Sequence, residues 1–309
     1  MRLTQRVKRP TLRLLTAVSK WMKPTNIGIL LCLASMASFA VQDIITKTLL
    51  LSGIPLSQLL LVRYALFSIF ALVLAGGLHK AWCALKSARP SLQILRASLS
   101  MTEIAFINIS FTLMTVAKVH AIVALFPLIT LVMARFILKE SLSRRKAVAV
   151  LVGLAGALTI IQPKLSGFNT DMLLTLSGAI ALASFSIVTK FLSGKDGFKT
   201  HAMYMGVVGL VISLPLGIWQ WLEPSFEQGL LLLTLAVMNI GSQLFYIKAM
   251  DYADASTLQP FNYTLLLFAT VAALIFLGEV PTLLTLIGGG VIVLGGLIAM
   301  GRVRVLKSN

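Results

Sequence analysis

Ten nearly uninterrupted apolar stretches fill this chain, at 27–49, 54–76, 91–113, 119–138, 145–162, 172–192, 202–222, 228–249, 255–277 and 282–300. An α-helix rises about 1.5 Å per residue, so about 20 residues cross a hydrocarbon layer of about 30 Å. Each stretch therefore predicts one spanning helix. Only helices and closed barrels satisfy their backbone groups in lipid, and continuous runs without alternation exclude a barrel. The expected fold is an all-α polytopic membrane protein of ten transmembrane helices. A basic segment at 1–26 comes first, followed by helical halves at 27–163 and 164–301 and a tail at 302–309.

Composition agrees: 58% of the 309 residues are hydrophobic and mean hydropathy is +0.93. The formal charge of +17 invites a nucleic-acid reading, but its distribution removes it. Counting alternate loops from the N-terminus, one set holds 21 of the 27 basic residues, from Arg2–Lys23 through Lys80, Arg144, Arg145 and Lys195 to Lys307. The other set holds only Lys118 and Lys164, beside Asp171, Glu223, Glu227 and Glu279. Positive charge collects on the cytoplasmic side of helical membrane proteins. Both termini are thus expected inside the cell, and the charge reflects topology. Within 1–23, Leu12, Leu15, Val18 and Met22 recur at helical spacing among basic residues, as an interfacial helix requires.

The chain also repeats. Phe111, Ala117, Pro127, the run Phe136 to Glu140, Gly153 and Gly156 find counterparts in Tyr246, Ala253, Pro260, the run Phe276 to Glu279, and the glycines from Gly288 to Gly296. Five spans separate equivalent helices, and an odd number turns the second half upside down. Two inverted five-helix repeats are an architecture of secondary carriers. Pro127 and Pro260 interrupt apolar runs and leave a carbonyl without its helical donor. Together with Glu140 and Glu279 they are the candidate conformational and structural positions. Glycine pairs suit close helix contact.

A charge at the centre of a membrane helix costs about 2.5–3.5 kcal/mol even on the gentler scale. Asp43 and Lys47 share a face of the first span, Arg63 lies in the second, and Arg96 and Glu103 lie in the third. Lys47 is near an end and is expected to snorkel to the headgroups. The others have two readings: ion pairs locking helices together, or a charged cavity in which arginine forks hold an anion and an acid meets a cation or proton. The second half offers uncharged polar stripes, Asn239, Gln243 and Tyr246 on one span, and Gln259, Asn262 and Tyr263 on the next. Candidate substrate-binding residues are Asp43, Arg63, Arg96, Glu103, Gln243, Tyr246, Asn262 and Tyr263.

Other chemistry is poorly supplied. No glycine-rich loop ends in Lys-Ser or Lys-Thr, and His79, His120 and His201 share no ligand spacing. No enzyme activity, cofactor or metal is expected. Cys32 and Cys83 read as packing residues.

Leu138-Lys139-Glu140-Ser141-Leu142-Ser143 with Arg144-Arg145, and Pro260-Phe261-Asn262-Tyr263 running to Leu277-Gly278-Glu279, resemble the drug/metabolite transporter superfamily. The likeness is to its ten-helix members built of two EamA modules. Gln42-Asp43, Lys47, Arg63 and Arg96 resemble more closely the branch of proteobacterial S-adenosylmethionine and riboflavin carriers. Asn262, where relatives often carry an acid, and Glu103, where many are apolar, depart from that pattern. The resemblance implies a bacterial inner-membrane carrier, a monomer or weak dimer surrounded by lipid. It would move a small polar or zwitterionic solute of amino-acid, S-adenosylmethionine or flavin type by alternating access, coupled to a proton or a counter-solute. Proton-exchanging export of drugs or toxic metabolites is the alternative within the class; a channel or a structural membrane protein is the alternative outside it.

Overall fold

Proline and glycine punctuate the helices where the apolar runs begin and end. The computed structural model describes residues 24–139, 144–161, 170–192, 196–253, 258 and 261–299. Helix α1 (Pro24–Leu51) and α4 (Pro90–Leu113) both open on proline, whose missing N–H costs nothing in a first turn. Helix α2 (Leu56–Ala75) ends on Gly76 in the left-handed region at φ 99, and the short α3 (Leu78–Ala84) follows. The next apolar run is split into α5 (Val116–Val123) and α6 (Phe126–Ile137), because Pro127 cannot donate to the carbonyl of Val123. Then come α7 (Arg144–Ile161), α8 (Thr170–Leu192) and α9 (Phe198–Trp219). Helix α10 (Phe226–Tyr252) starts on a capping box made by Ser225 and Gln228. Helices α11 (Thr264–Leu277) and α12 (Leu283–Ala299) complete the described fold, α11 ending on Gly278 at φ 66.

Among the described residues, seven helices are long and apolar enough to cross a membrane, counting α5–α6 as one. Three shorter apolar helices lie in α7, α11 and α12. The protein is an all-α polytopic membrane protein. Large apolar side chains such as Ile69, Val73, Leu151, Val211 and Ile275 stand exposed, as a lipid-facing surface requires.

Long-range packing follows a rule. The most extensive contacts join α7 to α12, α1 to α10, α2 to α9 and α4 to α8. Exchange the first-half helices (α1, α2, α4, α5–α6, α7) for those of the second half (α8 to α12) in order. Then α1–α10 becomes α8–α4, α1–α11 becomes α8 on α5–α6, and α2–α10 becomes α9–α4, all of which occur. The pairs α2–α9 and α7–α12 map onto themselves. The largest of these contacts share the exchange symmetry that inverted-repeat packing predicts.

Small residues let the paired backbones approach. A Cβ on Gly156 would lie 2.7 Å from the Gly288 carbonyl oxygen, and one on Gly295 would lie 2.9 Å from that of Ala149. Along α9, Gly206, Gly209 and Gly217 seat Ser68, Tyr64 and Leu61 of α2 in the same way. Lipid tails are as apolar as the helices, so fit and dispersion hold such seams rather than water exclusion.

Candidate functional site

Asp43 and Lys47 lie one turn apart on α1 and meet different partners. Asp43 Oδ2 is 2.8 Å from His120 Nε2 in α5, just before the break at Pro127. Lys47 Nζ pairs with Glu279 Oε1 in the α11–α12 turn and donates to the Met114 carbonyl oxygen at 2.7 Å. The other Glu279 oxygen accepts from the backbone N–H of Val116 at 2.8 Å. That N–H belongs to the first turn of α5, where no intrahelical acceptor exists. The expectation that Lys47 snorkels is therefore corrected: its side chain is only 9% exposed, because a carboxylate and a carbonyl meet it inside the protein.

Arg63 on α2 and Glu103 on α4 are both half-buried. Among the described residues neither has a hydrogen bond or an ion pair within 4.0 Å. Yet the charges of Arg63 and Asp43 both act on Glu103, and those of Arg63 and Glu103 act on Tyr64. Glu103 thus feels both Arg63 and Asp43, and Asp43 is in turn hydrogen-bonded to His120.

Arg96 belongs elsewhere. It is buried near the opposite end of the bundle, where Nη2 donates to the His201 carbonyl at 2.8 Å and Nε donates to Gln93 Oε1 at 3.2 Å. Its guanidinium lies 5.4 Å from the centre of the Phe185 ring. Gln93 in turn donates to Asp196 Oδ2 at 2.7 Å, and Ser87 and the Ala88 N–H donate to the same carboxylate. Burial raises the Asp196 carboxyl, but the hydrogen bonds from Ser87, Gln93 and Ala88 outweigh it and hold the group below its usual range. These contacts clamp the α3–α4 turn to the α8–α9 turn.

In the second half, Tyr246 and Asn262 come together, the Asn262 amide donating to the Tyr246 hydroxyl at 3.3 Å while Cys32 Sγ donates to Asn262 Oδ1 at 3.6 Å. Gln243 is half-buried on α10. Asn239, expected on the same stripe, instead turns to α1 and donates to Gln42 Oε1; Gln42 Nε2 reaches Ser242 Oγ at 2.9 Å. This buried amide and hydroxyl cluster fastens α1 to α10. The Tyr263 hydroxyl is buried with no hydrogen-bond partner, against Gly296. A cavity of about 50 Å³ sits at the α5–α6 break, lined by His120, Phe126, Pro127, Asn262, Tyr263 and Leu266 among others. Glu140 and Pro260 lie outside the described residues, as does Gln259.

Sequence reasoning missed His120. Of the three histidines, His79 and His201 flank apolar runs and only His120 falls within one; that position, and an acid on the neighbouring first span, were the available signals. Among the described residues no group of three or more His, Cys, Asp and Glu side chains is arranged to hold a metal ion.

The fold and site are those of a polytopic helical membrane protein with exchange-related halves and ionisable side chains inside the bundle. The model of the EamA-like transporter family matches residues 26–162 and again residues 170–301. The chain belongs to the EamA-like transporter family, a class of transporters rather than enzymes. It is 26% identical to the S-adenosylmethionine uptake transporter of Rickettsia prowazekii, over 86% of this chain and 90% of that one. It is 33% identical to the riboflavin transporter of Vibrio cholerae, over 51% and 53% of the two chains. The pseudopaline exporter CntI of Pseudomonas aeruginosa is 22% identical over 90% and 96%. A solved crystal structure of a protein superimposes with a TM-score of 0.63 over 92% of this chain and 99% of its own. At 16% identity that likeness concerns the fold alone.

Proposed function

We propose that this protein is a secondary active transporter of the bacterial inner membrane that moves a small polar organic solute by alternating access. Ten spans in two inverted halves, with both termini cytoplasmic, provide the moving parts. The reading is supported by the exchange symmetry of the packing and by the family relationship. The observation that carries the site is the half-buried pair Arg63 and Glu103, neither of which has a partner among the described residues. An unpaired charge in a membrane interior costs several kcal/mol. A solute carrying both an anionic and a cationic group relieves that cost at both residues.

In this reading Arg63 grips a carboxylate or phosphate, Glu103 and Asp43 attract a cationic group, and Gln243, Tyr246, Asn262 and Tyr263 face the uncharged body of the solute. Arg96, already engaged by Gln93 and the His201 carbonyl, is assigned to the scaffold. The known solutes of the relatives, S-adenosylmethionine and riboflavin, supply the first probes, with free amino acids beside them. In reconstituted vesicles, uptake of at least one probe should saturate and respond to an imposed ion gradient or to solute loaded inside. Arg63→Gln should abolish binding, measured as ligand-induced thermal stabilisation, while the detergent-solubilised protein remains monodisperse. Unchanged affinity in this variant refutes the role given to Arg63. Unitary currents in place of saturable uptake would make the protein a channel.

A further inference from the structure

The short helix α3 carries large apolar side chains on its exposed side. Gly76 and Gly77, at φ 99 and 91, turn the chain sharply out of α2. In α3 only Ala81 is buried, packed with Ala71 and Ala75 of α2 and with Ala202 and Met203 of α9. Leu78 and Trp82, one turn apart, are 80% and 73% exposed. The end of α3 is tied to the second half of the chain. The Tyr204 hydroxyl of α9 donates to the Leu85 carbonyl at 2.9 Å, and Ser87 and the Ala88 N–H donate to Asp196. Around this junction Lys80, Lys86, Arg89 and Lys199 are all exposed, with exposed Lys190 at the end of α8 and exposed His79 on α3. The acid of the junction, Asp196, is already shared among Ser87, Gln93 and the Ala88 N–H. Buried Arg96 adds a further positive charge behind it. The junction is thus strongly basic and edged by a tryptophan and a leucine.

We propose that α3 lies in the membrane interface and that the basic junction beside it binds the headgroup of an anionic phospholipid. Leu78 and Trp82 enter the boundary between headgroups and acyl chains, where an indole anchors well. Lys80, Lys86 and Arg89 from the first half and Lys199 from the second meet the lipid phosphate. Charge complementarity selects the occupant. A zwitterionic headgroup brings no net charge, whereas each basic residue near an anionic membrane surface is worth about fivefold in affinity. Lys86 and Arg89 flank the two residues bonded to Asp196, and Lys199 follows Asp196 by three positions. One headgroup reaching both turns therefore links the two halves of the chain beside the Asp196 clamp. The inference needs only that the chain is embedded in a membrane and is independent of the solute assignment.

Fluorescence quenching at Trp82 tests this at the site itself. Trp21→Phe, Trp219→Phe and Trp221→Phe leave Trp82 as the single tryptophan. This protein is reconstituted in phosphatidylcholine vesicles that contain either dibrominated phosphatidylcholine or dibrominated phosphatidylglycerol of the same chain length. Both lipids should quench Trp82, the anionic one more strongly at equal mole fraction. Lys86→Gln with Arg89→Gln, and separately Lys199→Gln, should lower that preference by about fivefold per residue removed. Quenching by phosphatidylcholine should stay unchanged in these variants, showing α3 still seated. Arg144→Gln with Arg145→Gln, which removes two exposed charges at the start of α7, should leave the preference intact. No quenching by either lipid overturns the interfacial placement of α3. Equal quenching by both overturns the anionic site. A preference that survives the Lys86, Arg89 and Lys199 changes, or falls as far with the α7 pair, overturns the residues assigned to it. Loss of the preference on adding excess glycerol 3-phosphate to the aqueous phase would make the ligand a soluble phosphate and overturn the lipid.

Discussion

At the scale of single residues, close contacts and unmet polar atoms make separable forecasts. A methyl group on Gly209 would fall 2.2–2.6 Å from atoms of the buried Tyr64 ring. Gly209→Ala should cost about 1–3 kcal/mol, the usual range for overpacking, read as a lower thermal midpoint in detergent. Gly290 has nothing within 4 Å of the same construction, so Gly290→Ala should be neutral or slightly stabilising. Tyr263 separates structure from binding. Its hydroxyl is buried and unpaired, so Tyr263→Phe removes an unsatisfied group and should leave the midpoint unchanged or higher. If that hydroxyl serves the solute, affinity should nevertheless fall. Unchanged affinity would make Tyr263 a packing residue.

At the scale of elements, two polar clusters hold opposite ends of the bundle. At one end Lys47 and Glu279 fasten α1, the α4–α5 junction and the α11–α12 turn, crossing from one half of the chain to the other. Glu279→Gln leaves a buried lysine without its counter-charge and should cost about 3–5 kcal/mol, whereas Lys47→Met with Glu279→Gln should recover much of that. A double-mutant cycle on thermal midpoints checks the coupling; additive losses would mean the two side chains act independently. At the other end Asp196 clamps two turns. Its carboxyl binds protons less readily when folded than when unfolded. The clamp therefore contributes fully above about pH 4 and fades as the pH falls through the lower folded-state value. Hydrogen exchange of the 85–89 and 196–200 backbones should quicken in that acid range, and Asp196→Asn should remove the pH dependence.

At the scale of the whole molecule, the loop charges and the exchange symmetry make one claim by independent routes. Reporter fusions at Gly53, Gly167 and Glu223 should be external, and those at Lys86 and Lys195 internal. An internal signal at Gly167 would shift every later loop and break the inverted repeat. The EamA-like family matches fall in both halves of the chain, so each half brings related helices to a shared interior. Arg63 stands on α2, which packs against α9 and α10, and Glu103 on α4, which packs against α8 and α9.

The sequence by itself determined the membrane class, the apolar runs, their turns and the weak internal repeat. Those properties depend on local composition and on spacing along the chain, and lipid leaves the backbone no alternative to helix in such runs. It also brought forward Asp43, Arg63 and Glu103, since an ionisable residue within an apolar run is legible without coordinates. Which charges meet was decided only in three dimensions. Asp43 and Lys47 share a helical face in the sequence, but the bundle sends one to His120, 77 positions away, and the other to Glu279. Arg96 and Asn239 looked equivalent to their neighbours until packing turned each toward a partner that fastens helices together. Helical periodicity fixes which side chains share a face. The close approach of the glycine-lined seams decides what that face meets, and so whether a charge is already paired or remains available to a solute.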